Sequence, residues 1–289
     1  IDLYNRTTKG ALVNSPYLAE SGMNSYTSNL IDMSNRGFEL ELGGDIVRTA
    51  DFTWSTSFNI ASNQNKVLKL NGANLNSQMQ DLIVEGEPVG VIKGFRAKGI
   101  AKDQAEIDRL NAQAAAKGYG AYQTSLGVGD YILEDVNGDG RITSDDRTVI
   151  GSPLPKFFGG WNHTLTYRNV DLSLFMQFSQ GGKAFYSDVG LDLESTLGQS
   201  ITRETFGRTW TPERRDALFP RLVYGQYSSY NAKTNDRMIY STSYLRMKNV
   251  TLTYRLPKAA LRVVGVQSAS VFAMVTNLFT LTAWPGLDP

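Results

Sequence analysis

The chain has 289 residues, enough for one large β unit or two average domains, and sets Gly 27, Tyr 14, Phe 13 and Trp 4 against only 20% charged residues, a mixture suited to strands and turns and poor for a helical bundle. A formal net charge of +1 provides no global field to attract nucleic acid. The lack of cysteine excludes disulfides, thiolate metal sites and thiol nucleophiles, and the single His163 has no second imidazole with which to build a zinc site.

The opening IDLYNRTTKGALV reads directly as strand, with no initiator Met and no signal segment, so an internal stretch of a longer protein is expected. No apolar run approaches the ~18 residues of a membrane-crossing helix. Strands that cross a membrane alternate in polarity and average out as mildly polar, so a membrane barrel survives that test.

In chain order, seven principal strands are expected at about 1–13, 31–44, 51–63, 156–168, 170–180, 243–256 and 266–281. Within the second, RGFELEL sets Phe38, Leu40 and Leu42 opposite Glu39 and Glu41. The third, DFTWSTSFNI, has Phe52, Trp54, Phe58 and Ile60 on one face and Thr53, Ser55, Ser57 and Asn59 on the other. Between the third and fourth, PVGVIKGFRAKGI at 88–100 reads as an extra β-segment, and DQAEIDRLNAQAAAK from Asp103 to Lys117 as a surface helix. The fifth alternates Val170, Leu172, Leu174, Met176 and Phe178 with Asp171, Ser173, Phe175, Gln177 and Ser179; the sixth alternates Val250, Leu252, Tyr254 and Leu256 with Thr251, Thr253 and Arg255.

Alternation alone fits either a soluble sandwich, whose apolar face meets a second sheet, or a barrel, whose apolar face meets lipid. Link lengths favour the barrel. The links at 43–51, 167–171 and 256–265 are short, while those at 14–30, 61–155 and 180–242 are long. In an up-and-down arrangement this places every short link at one end and every long link at the other, the asymmetry of periplasmic turns and extracellular loops. Tyr167 and Tyr254 then lie on the apolar phase near the short-turn end, where an aromatic girdle or plain strand propensity accounts for them equally. Glu39 and Glu41 face the wet interior. His163 falls on the apolar phase beside Trp161 and Leu165, which calls for an interfacial position or a local bulge.

Residues 135–146, DVNGDGRITSDD, follow a calcium-loop pattern. Asp135, Asn137 and Asp139 would supply side-chain oxygens, Arg141 its carbonyl, Thr143 a hydroxyl or water-mediated contact, and Asp146 the closing carboxylate. Calcium takes six to eight such oxygens. Asp146 replaces the longer bidentate Glu of an EF-hand and no strong helices flank the loop on both sides, so an Asx-rich turn without metal is the competing reading. With no nucleophile or imidazole beside it, a Ca2+ ion there would brace the 61–155 loop region. No organic cofactor is expected.

The stretches NRGFELELGGDIVRTADFTWSTSFNIASNQNKV, EDVNGDGRITSDDRTVIGSPLPKFFGGWNHTLTYRNVDLSLFMQFSQG, RTWTPE, and SYLRMKNVTLTYRLPKAAL followed by VFAMVTNLFTLTAWPGLDP, taken in succession, resemble the SusC/RagA family of TonB-dependent outer-membrane transporters across nearly the whole chain. The resemblance implies an all-β fold: residues 1–289 as the C-terminal part of a 22-stranded antiparallel transmembrane β-barrel, with the plug and first strands upstream and a last strand after the GLDP-like segment. It implies a SusD-like lipoprotein partner, energy relayed by TonB through the N-terminal region, contact with outer-membrane lipid, and import of oligosaccharides or peptides in Bacteroidota-type bacteria, with no nucleic acid involved.

Two other classes compete. A glycoside hydrolase needs two carboxyl groups straddling its substrate at about 5 to 9.5 Å, and nothing places Glu39 with Glu41, or Asp145 with Asp146, in that way; no triad motif surrounds His163. The chain is therefore expected not to be an enzyme. A soluble, calcium-braced adhesion or glycan-binding module shares the strands and the loop, and could stack sugars on Tyr224, Tyr227 and Tyr230. Detergent dependence separates that module from a barrel wall.

Overall fold

The computed structural model describes residues 1–289 except 17–20, 74, 76, 195–199, 224–229 and 263–264. Among the described residues, seven long strands form one sheet: β1 (Asp2–Pro16), β2 (Ser25–Arg48), β3 (Phe52–Lys69), β4 (Phe157–Tyr167), β5 (Val170–Gln180), β6 (Tyr244–Arg255) and β7 (Ser270–Thr282). Each is hydrogen-bonded antiparallel to its sequence neighbours, so the sheet is an uninterrupted up-and-down meander with β1 and β7 at its edges. Among the described residues no helix is long and apolar enough to cross a membrane, which leaves crossing by strands open.

The links at one end are short. Arg168 and Asn169 alone join β4 to β5, with Arg168 at φ 52, and the Thr49 hydroxyl accepts the Phe52 amide at 3.0 Å to close the turn from β2 to β3. The third link, from β6 to β7, holds the short helix Lys258–Arg262. Gly37 in β2 has a steric role, since a side chain there would run into the Tyr4 ring and the Ser62 carbonyl of the flanking strands.

One expected long link is mostly strand. Residues 14–16 extend β1 and 25–30 begin β2, because Val13, Ile31, Val67 and Leu75 form a buried apolar cluster that holds the ends of β1, β2 and β3 together. For the same reason β3 runs to Lys69, and the loop placed at 61–155 starts after it.

Each of the two remaining long links pairs short strands within itself, and the two share one apolar core. Ile92–Gly94 pairs with Thr148–Gly151, Ala97–Ile100 with Tyr131–Leu133, and Lys183–Phe185 with Ile239–Ser241. The expected helix occupies Gln104–Ala116; the Asp103 carboxylate accepts the Glu106 amide at 2.9 Å, and the Glu106 carboxylate accepts the Lys102 amide at 3.0 Å. These exchanges satisfy amides that a helix start leaves unpaired. Ile107, Leu110 and Ala114, on one helix face, are buried in a core shared with Tyr131, Leu133, Phe219 and Met238.

Candidate functional site

The register separates the sheet into two chemically distinct faces. On one, Phe52, Tyr167, Val170, Tyr254 and Val271 align across five strands beside the short turns. The next rows on that face are Trp54, Leu165, Leu172, Leu252 and Ala273, then Thr56, His163, Leu174, Val250 and Val275. Phe58, Trp161, Met176, Met247 and Phe279 follow, and then Ile60, Gly159, Phe178, Leu245 and Leu281. Five rows of two residues, at about 3.4 Å per residue and a tilt near 40°, span roughly 26 Å, against the ≈ 25 Å apolar band of outer-membrane barrels. Beyond them the same face of β2 and β3 turns polar, at Arg36 opposite Gln64 and Ser34 opposite Lys66.

A bulge keeps the greasy rows in phase. Lys248 is an extra residue of β6 against β5, and Asn277 (φ 50) an extra residue of β7 against β6, so Met247 and Val250 remain on one face despite their odd spacing. His163 needs no bulge; the register runs unbroken through it. Its Nδ1 accepts the Trp54 indole N–H at 3.2 Å, and its ring lies 4.6 Å from that of Trp161. The Trp161 indole in turn donates to the Thr56 hydroxyl at 2.8 Å. The two indole N–H groups of this face are thus paired with the His163 ring and the Thr56 hydroxyl of the same face, which keeps its exterior greasy.

The opposite face carries Asp171, Ser173, Gln177, Thr164, Asn162, Ser55, Asn59, Glu39 and Glu41. Its polar groups form cross-strand networks. The Asp171 carboxylate accepts the Arg255 guanidinium at 2.9 Å and the Thr166 hydroxyl at 2.7 Å, and the Asn35 amide oxygen accepts Asn63 and Asn65 at 3.3 and 3.0 Å. Near the long-loop end Arg246 is buried under the segment after β7, paired with Asp288 and donating to the Thr280 hydroxyl at 3.0 Å.

Asp130 ties the two long loops together. Its carboxylate, almost wholly buried, accepts Arg221 Nε at 2.8 Å and Nη2 at 3.1 Å, the Asn231 amide at 2.9 Å and the Gly127 backbone amide at 2.7 Å. The same contact holds the Arg221 guanidinium above its ordinary pKa. The Tyr131 amide also donates to Asn231 at 2.9 Å, and Phe95 exchanges backbone bonds with Thr234 and Asp236. Within RTWTPE, Trp210 lies where any side chain on Gly129 would stand, which fits the second loop onto the first. Burial pushes the Tyr122 hydroxyl up to about 12, and that hydroxyl donates to the Leu133 carbonyl at 2.6 Å. Of the aromatic side chains expected to stack on sugars, Tyr230 packs edge-on against Phe95, while Tyr224 and Tyr227 lie outside the described residues.

In the acidic motif, Asp135 accepts the amides of Gly138 and Gly140 at 2.7 and 2.8 Å, Asn137 that of Asp139 at 2.8 Å, and Asp139 that of Arg141 at 2.9 Å. Thr143 caps a short 3-10 turn by accepting the Asp145 amide at 3.2 Å. Asp146, fully buried, accepts the Val136 and Asn137 amides on one oxygen and the Thr143 amide on the other. Asp146 therefore closes the loop through backbone bonds alone. Among the described residues no three Asp, Glu or His side chains converge as a metal-holding group. Asp135, Asn137 and Asp139 retain unused oxygen lone pairs, so the donor chemistry still suits a hard cation.

No protein-family model matches the chain. The TonB-dependent receptor P3 of Formosa agariphila is 30% identical over 299 residues, an alignment covering 100% of this chain and 28% of that protein. TonB-dependent receptor P26 of the same organism is 30% identical over 300 residues, and TonB-dependent receptor SusC of Bacteroides thetaiotaomicron 25% over 299. The chain thus spans less than a third of the length of the curated relatives it matches. Among solved structures, that of the RagAB peptide transporter superposes with a TM-score of 0.75 at 23% identity, covering 99% of this chain and 30% of that one. Its closed-closed state gives a TM-score of 0.73 at 24% identity.

Proposed function

The chain belongs to the SusC/RagA family of TonB-dependent receptors of the outer membrane, and from that premise we propose that it forms the C-terminal part of the barrel wall of a nutrient importer. The single observation that carries this reading is the two-faced sheet, greasy over five rows on one side and hydrogen-bonded polar on the other. On this reading the greasy side faces hydrocarbon and the polar side lines the wet bore. The short turns are periplasmic, the loop unit is extracellular, a SusD-like lipoprotein covers that unit, and TonB supplies energy through sequence outside this chain. The cargo is an oligosaccharide or a peptide. Catalysis has no part in it, in keeping with relatives that are named as receptors.

Brominated acyl chains test the carrying observation. In the full-length protein reconstituted into brominated phosphatidylcholine vesicles, Trp54 and Trp161 are expected to be quenched, and Trp54→Phe with Trp161→Phe to remove that part of the quenching. Quenching left unchanged by the double substitution defeats the lipid-facing assignment.

We further propose that a hard cation of the calcium type braces the 135–146 loop through Asp135, Asn137 and Asp139, with the Arg141 carbonyl and the Thr143 hydroxyl completing the set and Asp146 holding the loop closed from behind. In the intact protein, Asp135→Ala with Asp139→Ala is expected to speed proteolysis within residues 100–155 several-fold, and chelator to do the same to the wild type alone. Cleavage indifferent to chelator removes the cation.

A further inference from the structure

Where the two long loops meet, a cavity of about 520 Å³ is lined by Phe95, Thr124, Ser144, Arg147, Tyr230, Lys233 and Thr234. Its walls are fixed. The Phe95 amide donates to the Thr234 carbonyl at 2.9 Å, the Phe95 and Tyr230 rings meet edge to face at 5.4 Å, and the Tyr230 hydroxyl donates to the Ile142 carbonyl at 3.3 Å. The lining holds two cations, three aliphatic hydroxyls and no carboxylate. Arg147 spends Nη2 on Asp81 at 2.7 Å and on the Lys93 carbonyl at 3.2 Å, so its charge is shared. Among the described residues, the Lys233 ammonium and the Thr124, Ser144 and Thr234 hydroxyls have no hydrogen-bond or ion-pair partner. Unspent donors of this kind, beside an aromatic pair, match a ligand that brings an anionic oxygen group on an organic frame.

We propose that this cavity is a cargo subsite for a carboxylate, with Lys233 as its counter-ion, the three hydroxyls as neutral donors, and Phe95 with Tyr230 as the surface against which the adjoining sugar ring or peptide backbone lies. The assignment rests on the import reading and adds a substrate class to it, acidic over neutral. Its carboxylate comes from a uronate residue or from a peptide, and the two sources differ in what else they present to the aromatic pair.

Calorimetry on the purified full-length transporter distinguishes them. The probes are a hexa-uronate and its methyl ester, and a hexapeptide lacking acidic side chains with a free or an amidated C-terminus. The free acid of one pair is expected to bind about ten-fold or more tightly than its neutral form. Lys233→Glu and Lys233→Met should bring the affinity ratio of acid to neutral form down to about one or below. Lys233 is solvent-exposed, so neither substitution disturbs packing. A preference unmoved by both substitutions, or equal binding of acid and neutral forms in the wild type, overturns the subsite and leaves import standing. Failure of cells carrying the transporter to take up any oligosaccharide or peptide overturns both.

Discussion

Asp130→Ala is expected to cost the loop unit about 3–5 kcal/mol, toward the lower end because Arg221 keeps some access to water. The carboxylate is the common acceptor for Arg221, the Asn231 amide and the Gly127 backbone amide. Its removal leaves a guanidinium and two donors without partners in an interior that cannot rehydrate them fully. Because these contacts join residues of one long loop to those of the other, the loss should appear as faster protease cleavage within both 92–149 and 186–240. The sheet's resistance to unfolding should be unchanged, since among the described residues the Asp130 carboxylate bonds only to Gly127, Arg221 and Asn231, all outside the seven strands. Asp130→Asn, which keeps an acceptor for Gly127 or Asn231, should fall between wild type and Ala. Equal cleavage of Asp130→Ala and wild type removes the pair as the tie between the loops.

That tie could not be read from the sequence, and the reason is physical. A strand advertises itself every second residue, so DFTWSTSFNI and VDLSLFMQFSQ place their own faces without reference to anything distant. The helix Gln104–Ala116 is equally local, with Asp103 as its cap and apolar residues on one stripe. Asp130 and Arg221, by contrast, are single charges in irregular segments 91 residues apart, with no period to mark them. The extension of β1, β2 and β3 was hidden for a related reason. Residues 25–30 and 64–69 are rich in Ser, Asn and Lys and look like loop, yet Val13, Ile31, Val67 and Leu75 supply enough burial to extend the ladder. His163 looked misplaced because its partners, the Trp54 indole and the Trp161 ring, come from register and not from neighbouring sequence alone. The acidic motif was legible as a loop and is one; its sequence does not reveal that Asp146 is already consumed by backbone amides.

Leu174→Arg is the second large effect, and it isolates the two-faced sheet from everything else. Leu174 lies in the third of the five greasy rows, between His163 and Val250, and so at the middle of the band. A guanidinium fixed there in hydrocarbon costs about 2–4 kcal/mol in a barrel strand, falling toward zero at the interfaces. The neighbouring Ser173, between Thr164 and Thr251, points to the other face, where water solvates the same charge and an arginine costs well under half as much. Both substitutions place one cation at almost the same height on one strand, so strand propensity and net charge cancel in the comparison. Urea titration of the full-length protein in vesicles, followed by heat-modifiable gel mobility, should show a lowered midpoint for Leu174→Arg and a nearly unchanged one for Ser173→Arg. Equal midpoints would mean that both faces meet the same medium, and a wall between lipid and a wet bore cannot have two equivalent sides.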